Sequence, residues 1–197
     1  MNRWIFLRHG ESEANRARVF SGHHDVALTH RGREQASRAG LEIQTLLSGT
    51  PLNAVWSSDL QRAQETADRA LQAAEINIPV RTHPGFRERH LGEWQGQSID
   101  VLKASGERDI LHTWTGSAPG GESLAALSLR ATELLVTIRV DGPVLLVGHG
   151  GLIRALLGLL DDTPLEQIGQ LNIPNAVPIE RTIADDRWHK ILSALTR

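Results

Sequence analysis

Apolar residues along this chain fall into two rhythms. Short unbroken runs occur at Trp4 to Leu7, in "NAVW" ending at Trp56, near "IPVRT" and in "PVLLV", and each reads as a buried strand. Between them the apolar positions repeat at helical spacing. One stripe after Thr29 is Ala36, Ala39, Ile43, Leu46 and Leu47; another is Leu60, Ala63, Ala67, Ala70, Leu71 and Ala74; a third is Leu124, Leu127, Ala131, Leu134, Leu135 and Ile138. Ser58 and Gln61 have the spacing of a capping box for the second of these helices, and Ser123 stands where the third begins.

Strands alternating with amphipathic helices predict the α/β class: a three-layer sandwich with a mainly parallel central sheet flanked by helices. Residues 97–121 break the rhythm with Gly and Ser and weak periodicity, so they are expected to form a small lid-like insertion in a single domain spanning 1–197. The tail from "NAVPIERTI" to "RWHKILSAL" reads as two late strands, or as a strand and a terminal helix. No internal repeat or low-complexity segment interrupts the pattern.

Composition changes this picture by exclusion. A length of 197 residues with 40% hydrophobic positions supports a real core, and a net charge of −2 provides no general basic field for nucleic acid or an anionic membrane. Any anion site must be local. Without cysteine there is neither a disulfide nor a thiolate metal site. The opening "MNRWIFLRHGE" has four apolar residues before charges begin, too few for a signal peptide or a membrane span. The expectation is a soluble, cytoplasmic protein.

Two distant strands end alike, in "FLRHG" and "LVGHG". In an open α/β sheet the carboxyl ends of strands line the ligand crevice, so His9 and His149 are expected to converge there. A third strand end, "VWSSDLQR", delivers Arg62 in the first turn of the next helix, where free N–H groups and the helix dipole already favour anions. Two arginines and two histidines suit phosphoryl transfer: cations around the phosphoryl oxygens, an imidazole nucleophile, and an acid for the leaving group. That chemistry requires no metal and no cofactor.

The motifs carrying this reading are "LRHGES" at 7–12, Asn15, "FSGHHDVALTHRGREQA" at 20–36, "SSDLQRAQETA" at 57–67, "FRERHLGEWQG" at 86–96, "PGGES" at 119–123 and "VGHGG" at 147–151. In this order they resemble the histidine phosphatase superfamily, also called the phosphoglycerate mutase-like family. The resemblance implies that His9 becomes phosphorylated, that Arg8, Arg62 and His149 cradle the phosphoryl oxygens with Asn15, and that Glu88, rather than Glu93, is the proton donor. It also makes Ser21, Gly22, Arg89, His90 and Gly150 substrate contacts. His23, His24, His30, His83, His112 and His189 are expected to be surface or hydrogen-bonded structural residues. Trp94 is expected to pack rather than stack on a ligand.

The same resemblance leaves three activities open. "ERHLGEWQG" is similar to the mutase signature Glu-Arg-His-Tyr-Gly, with Arg89 and His90 toward a substrate carboxylate, but Leu91 replaces the tyrosine and the chain has no tyrosine. The short lid offers only Lys103, Arg108 and His112 as basic groups. Hydrolysis of a small phosphorylated metabolite is therefore preferred over mutase-type transfer, and both over non-catalytic binding or regulation, because all five catalytic positions are present. Asp100, Glu107 and Asp109 in the lid are expected to disfavour a polyphosphate. The one protein partner expected is a second copy, through dimerisation at a sheet edge.

Overall fold

Trp4, Ile5, Phe6 and Leu7 are all buried because their strand has helices on both faces. The pleat sends Ile5 and Leu7 to one side and Trp4 and Phe6 to the other. A computed structural model describes all residues, 1–197. Its strands are β1 (Asn2–Arg8), β2 (Ala54–Ser57), β3 (Val80–Thr82), β4 (Val144–Gly148) and β5 (Pro178–Ile183). They form one sheet in the order β3-β2-β4-β1-β5, parallel except for β5, which runs antiparallel to β1. The expected architecture is the one observed.

The helices are α1 (Glu13–Ala17), α2 (His30–Leu47), α3 (Gln61–Ala73), α4 (Ile99–Ala104), α5 (Leu124–Leu135), α6 (Gly150–Leu160), α7 (Leu165–Ile168) and α8 (Arg187–Leu195). On one face of the sheet, α2 and α3 bury Ala39, Ile43, Ala63 and Ala67 against Ile5, Leu7, Val55 and Val147. On the other, α5, α6 and α8 bury Leu127, Ile153 and Trp188 against Trp4, Phe6 and Leu146. The tail is thus the strand-and-helix alternative.

Caps explain where several helices start. Thr29 accepts the Gly32 N–H at 3.0 Å to begin α2, and Ser123 accepts the Ala126 N–H at 3.1 Å to begin α5. The expected Ser58–Gln61 box does not form. Ser58 Oγ accepts the Leu60 N–H, and the Gln61 N–H goes to Asp25 Oδ1 at 2.8 Å, a residue brought in by another loop. The loop after β1 also holds an unforeseen short helix, α1, with a capping box between Ser12 and Asn15.

Residues 97–121 contain α4 and a 3₁₀ turn at Glu107–His112. Leu102, Leu111 and Ala118 pack with Leu91 and Trp94 in a small core of their own, against which Phe20 also lies. The Arg89 guanidinium donates to the Leu111 carbonyl at 3.1 Å, and His112 Nδ1 bonds the Gly169 carbonyl at 2.9 Å. No helix is long and apolar enough to cross a membrane.

Candidate active site

β1 and β4 are neighbours in register, with Arg8 opposite Gly148. Their next residues, His9 and His149, therefore leave the sheet side by side at its carboxyl edge. The two rings lie 5.2 Å apart between centroids, inclined at 62°. Both are buried, His149 completely.

His9 is held in one tautomer. Its Nδ1 lies 2.7 Å from the Gly10 carbonyl, which can only accept, so Nδ1 carries the hydrogen and Nε2 the free lone pair. Burial, then the charges of Arg62 and Arg8, push the imidazole well below the ordinary histidine range, outweighing the opposite pull of that carbonyl. His149 is pushed down in the same way, by burial first and then by Arg62, His9 and Arg8. Neither ring nitrogen of His149 has a partner in the protein. Buried polar atoms are normally satisfied, so a ring left open on both sides points to a ligand.

The cations around these rings are anchored by backbone. Arg62, fully buried at the start of α3, donates to the Gly22 carbonyl at 2.8 Å and the His24 carbonyl at 2.9 Å. Burial lowers its pKa to about 10, partly offset by Glu88 and Asp25, so the guanidinium remains charged at neutral pH. Arg8 donates to the Ile173 carbonyl at 2.7 Å. The Nε atoms of both arginines are buried and unpartnered. Gly150 and Gly151 open α6 directly after His149, whose own side chain does not cap the helix. A helix N-terminus beside two guanidinium groups is a built anion site.

Glu88 is fixed by two amides: Oε1 accepts the Arg89 N–H at 2.8 Å and Oε2 accepts the Gly151 N–H at 2.9 Å. This places a carboxyl group at the same helix start as the histidines.

Above them lies a cavity of about 260 Å³, lined by Arg8, His9, Asn15, Ser21, Gly22, Glu88, Arg89 and Gly150 among others. Arg62 and His149 are outside its exposed wall, buried beneath it. A larger groove of about 430 Å³ between α3 and β3 has no basic residue in its lining.

One expected contact is not brought to the cavity. His90 Nδ1 accepts the Gly92 N–H at 3.2 Å, and its ring edge meets His23 at 4.9 Å between centroids. His90 is absent from the cavity lining because the chain turns between Arg89 and Gly92. His112 is the hydrogen-bonded histidine expected, through the Gly169 carbonyl, and it also lines the cavity. The lid carboxylates also differ from expectation. Asp100 is tied to Arg18 at 2.7 Å, Glu107 accepts from Ser105 at 2.8 Å, Asp109 is exposed, and none of the three lines the cavity.

Arg154 on α6 was not foreseen as a site residue, nor was Arg108 as part of the cavity wall. Both line the cavity. A basic residue five positions after His149 was the available signal. Arg154 is held by the Leu171 and Gly169 carbonyls at 2.7 and 3.1 Å. No three side chains of His, Cys, Asp or Glu gather as a metal-binding group.

Known proteins share this arrangement of sequence and fold. The family model described as "Histidine phosphatase superfamily (branch 1)" matches residues 4–195. A 2,3-bisphosphoglycerate-dependent phosphoglycerate mutase from Parvibaculum lavamentivorans is 31% identical over 93% of this chain and 91% of that protein. The protein named phosphoglycerate mutase 2 of the same type from Gloeobacter violaceus is 33% identical over 89% of this chain and 83% of its own. Among solved structures, a mycobacterial glucosyl-3-phosphoglycerate phosphatase in complex with VO3 superposes with a TM-score of 0.80, at 30% identity, covering 91% of this chain and 90% of that one.

Proposed function

The chain belongs to the histidine phosphatase superfamily, and from that premise we propose that it is a metal-independent phosphomonoesterase acting on a small phosphorylated metabolite through a phosphohistidine at His9. The observation that carries this reading is the neutral, buried His9 ring with Nδ1 committed to Gly10, beside the partnerless His149 and the open Nε atoms of Arg8 and Arg62.

In the first half-reaction His9 Nε2 attacks phosphorus, the P–O ester bond breaks, and Glu88 gives its proton to the departing alkoxide. Arg8, Arg62 and His149 take the charge on the equatorial oxygens, with Asn15 and the Gly150 amide at the start of α6. In the second half, water attacks phosphorus while Glu88 takes its proton; the N–P bond breaks and inorganic phosphate leaves. His9 returns to its starting tautomer. Selectivity would come from the outer cavity wall, which Arg89, Arg108, His112 and Arg154 line.

Mutase-type transfer is the second reading, favoured by the similarity to two proteins that bear that name and by the placement of Arg89 in the cavity. Against it, Leu91 is 6% exposed in the small apolar core and lines the cavity where the mutase signature has a hydroxyl-bearing tyrosine.

The deciding experiment supplies 3-phosphoglycerate and p-nitrophenyl phosphate and follows both inorganic phosphate and 2-phosphoglycerate. Release of phosphate, with a radiolabelled phosphoryl group trapped on His9 and lost in His9→Ala, is expected. Interconversion without release would transfer the assignment to the mutase reading, and an unchanged rate in His9→Ala would end both.

A further inference from the structure

Asn175 takes no part in the cycle above, yet its side chain touches two residues that do. It stands in the loop leading into β5, next to Ala176, whose N–H donates to the Arg8 carbonyl at 2.9 Å. Asn175 Nδ2 donates to the His9 carbonyl at 2.8 Å and to Asn15 Oδ1 at 3.3 Å. Asn15 Oδ1 also accepts the Ser12 N–H at 3.1 Å, as part of the box that starts α1.

Asn15 Oδ1 thus receives two N–H donors, which together use its acceptor capacity. An amide has oxygen and nitrogen on opposite sides of one carbon, so fixing the oxygen inward fixes the nitrogen outward. Asn15 lines the cavity, and its Nδ2 makes no hydrogen bond within the protein. The Ser12 amide alone favours this orientation; the Asn175 bond adds a second constraint and ties it to the peptide of the nucleophile. A flipped Asn15 would face both donors with its own NH2 and present an oxygen to an anion.

We infer that Asn175 is a positioning residue that locks the Asn15 amide with its two N–H donors toward the phosphoryl group. This rests on the reading of the cavity as a phosphate site. Asn175 itself is not in the cavity lining, so a change there acts through Asn15.

A double-mutant cycle with inorganic phosphate as the probe tests it. The phosphate dissociation constant is measured by calorimetry on Asn175→Ala, Asn15→Ala and the double variant, each checked by circular dichroism for native helix content. Asn175→Ser, which retains a hydroxyl donor, guards against a poorly folding alanine variant. Asn175→Ala is expected to weaken phosphate roughly tenfold in the native background and less than about twofold when Asn15 is already alanine, with Asn175→Ser restoring part of the loss. Equal losses in both backgrounds would overturn the inference while leaving the phosphate site intact. A wild-type protein that does not bind phosphate would instead remove the site reading and this inference together.

Discussion

Glu88 Oε2 accepts the Gly151 N–H at 2.9 Å, a bond that exists because residue 151 has no side chain. A Cβ built at that position would collide with Glu88 Oε1. The last glycine of "GHGG" therefore serves the proposed proton donor, and replacing it displaces the carboxyl group without removing it.

Gly151→Ala is accordingly expected to lower kcat on an alkyl phosphate by about 10²- to 10⁴-fold, the range for a lost general acid. The loss on p-nitrophenyl phosphate should be much smaller, since nitrophenolate departs without a proton. The ratio of the two kcat values in wild type, Gly151→Ala and Glu88→Gln checks this. Equal losses on both esters would show that the glycine change does not act through proton donation.

The pair His9 and His149 gives a second expectation, on stability. Both native pKa values lie well below 6.5, while in the unfolded chain the same rings protonate near 6.5. Below that pH the unfolded state binds more protons than the native one, so stability is lost as pH falls and regained as it rises through the same window. Each group contributes a limiting slope of about 1.4 kcal/mol per pH unit. Urea unfolding between about pH 6.5 and 5 should show this decline, and His9→Gln with His149→Gln should flatten it. An unaltered slope in the double variant would mean that other groups set the acid limit.

How much of this was legible in the sequence depended on whether a feature is local. Strand ends and helix stripes were readable because burial on both faces imposes an unbroken apolar run on β1 and burial on one face imposes period 3.6 on α2, α3 and α5. His9, His149 and Arg62 could be placed because parallel strands deliver their successors to one edge. Arg108 and Asn175 reach the site only through tertiary folding, one on a 3₁₀ turn packed through Leu111 and the other in a loop bonded to β1 through Ala176 and to His9 directly. His90 was misplaced since a residue adjacent to Arg89 in sequence points elsewhere once the chain turns at Gly92, whose φ is +49°. The failed Ser58–Gln61 cap has a similar cause: Asp25, remote in sequence, took the amide that the box needed.

Thr66 yields a third expectation from the opposite side of His9. Its Oγ1 accepts the Gly10 N–H at 3.1 Å and donates to the Arg62 carbonyl at 2.6 Å, joining α3 to the residue whose carbonyl holds His9 Nδ1. Thr66→Val keeps the shape and leaves a buried N–H unsatisfied, at a cost of about 1–3 kcal/mol. Urea unfolding should report that loss, and the rate of His9 phosphorylation should fall with it because Gly10 also fixes the tautomer. A valine variant as stable and as fast as wild type would remove the link.

The final expectation concerns the leaving group. Four guanidinium groups, those of Arg8, Arg89, Arg108 and Arg154, line the cavity with one carboxylate, Glu88, while the lid acids lie outside it. With Arg8 assigned to the proposed phosphoryl site, three cations remain for the rest of the substrate. A second anionic group there meets donors in a partly desolvated wall, where a charged hydrogen bond contributes about 1.5–3 kcal/mol. A neutral group of equal size leaves those donors without an anion. 3-Phosphoglycerate and glycerol phosphate differ in a carboxylate against a hydroxymethyl, so kcat/KM for phosphate release should favour the acid by about 10- to 100-fold. Arg154→Gln should narrow that ratio through KM, since the charge it removes lies beyond the reacting atoms. Equal kcat/KM values in the wild-type protein, or a ratio untouched by the substitution, would show that the outer cations hold the lid and the loop after α7 in place and do not read substrate charge.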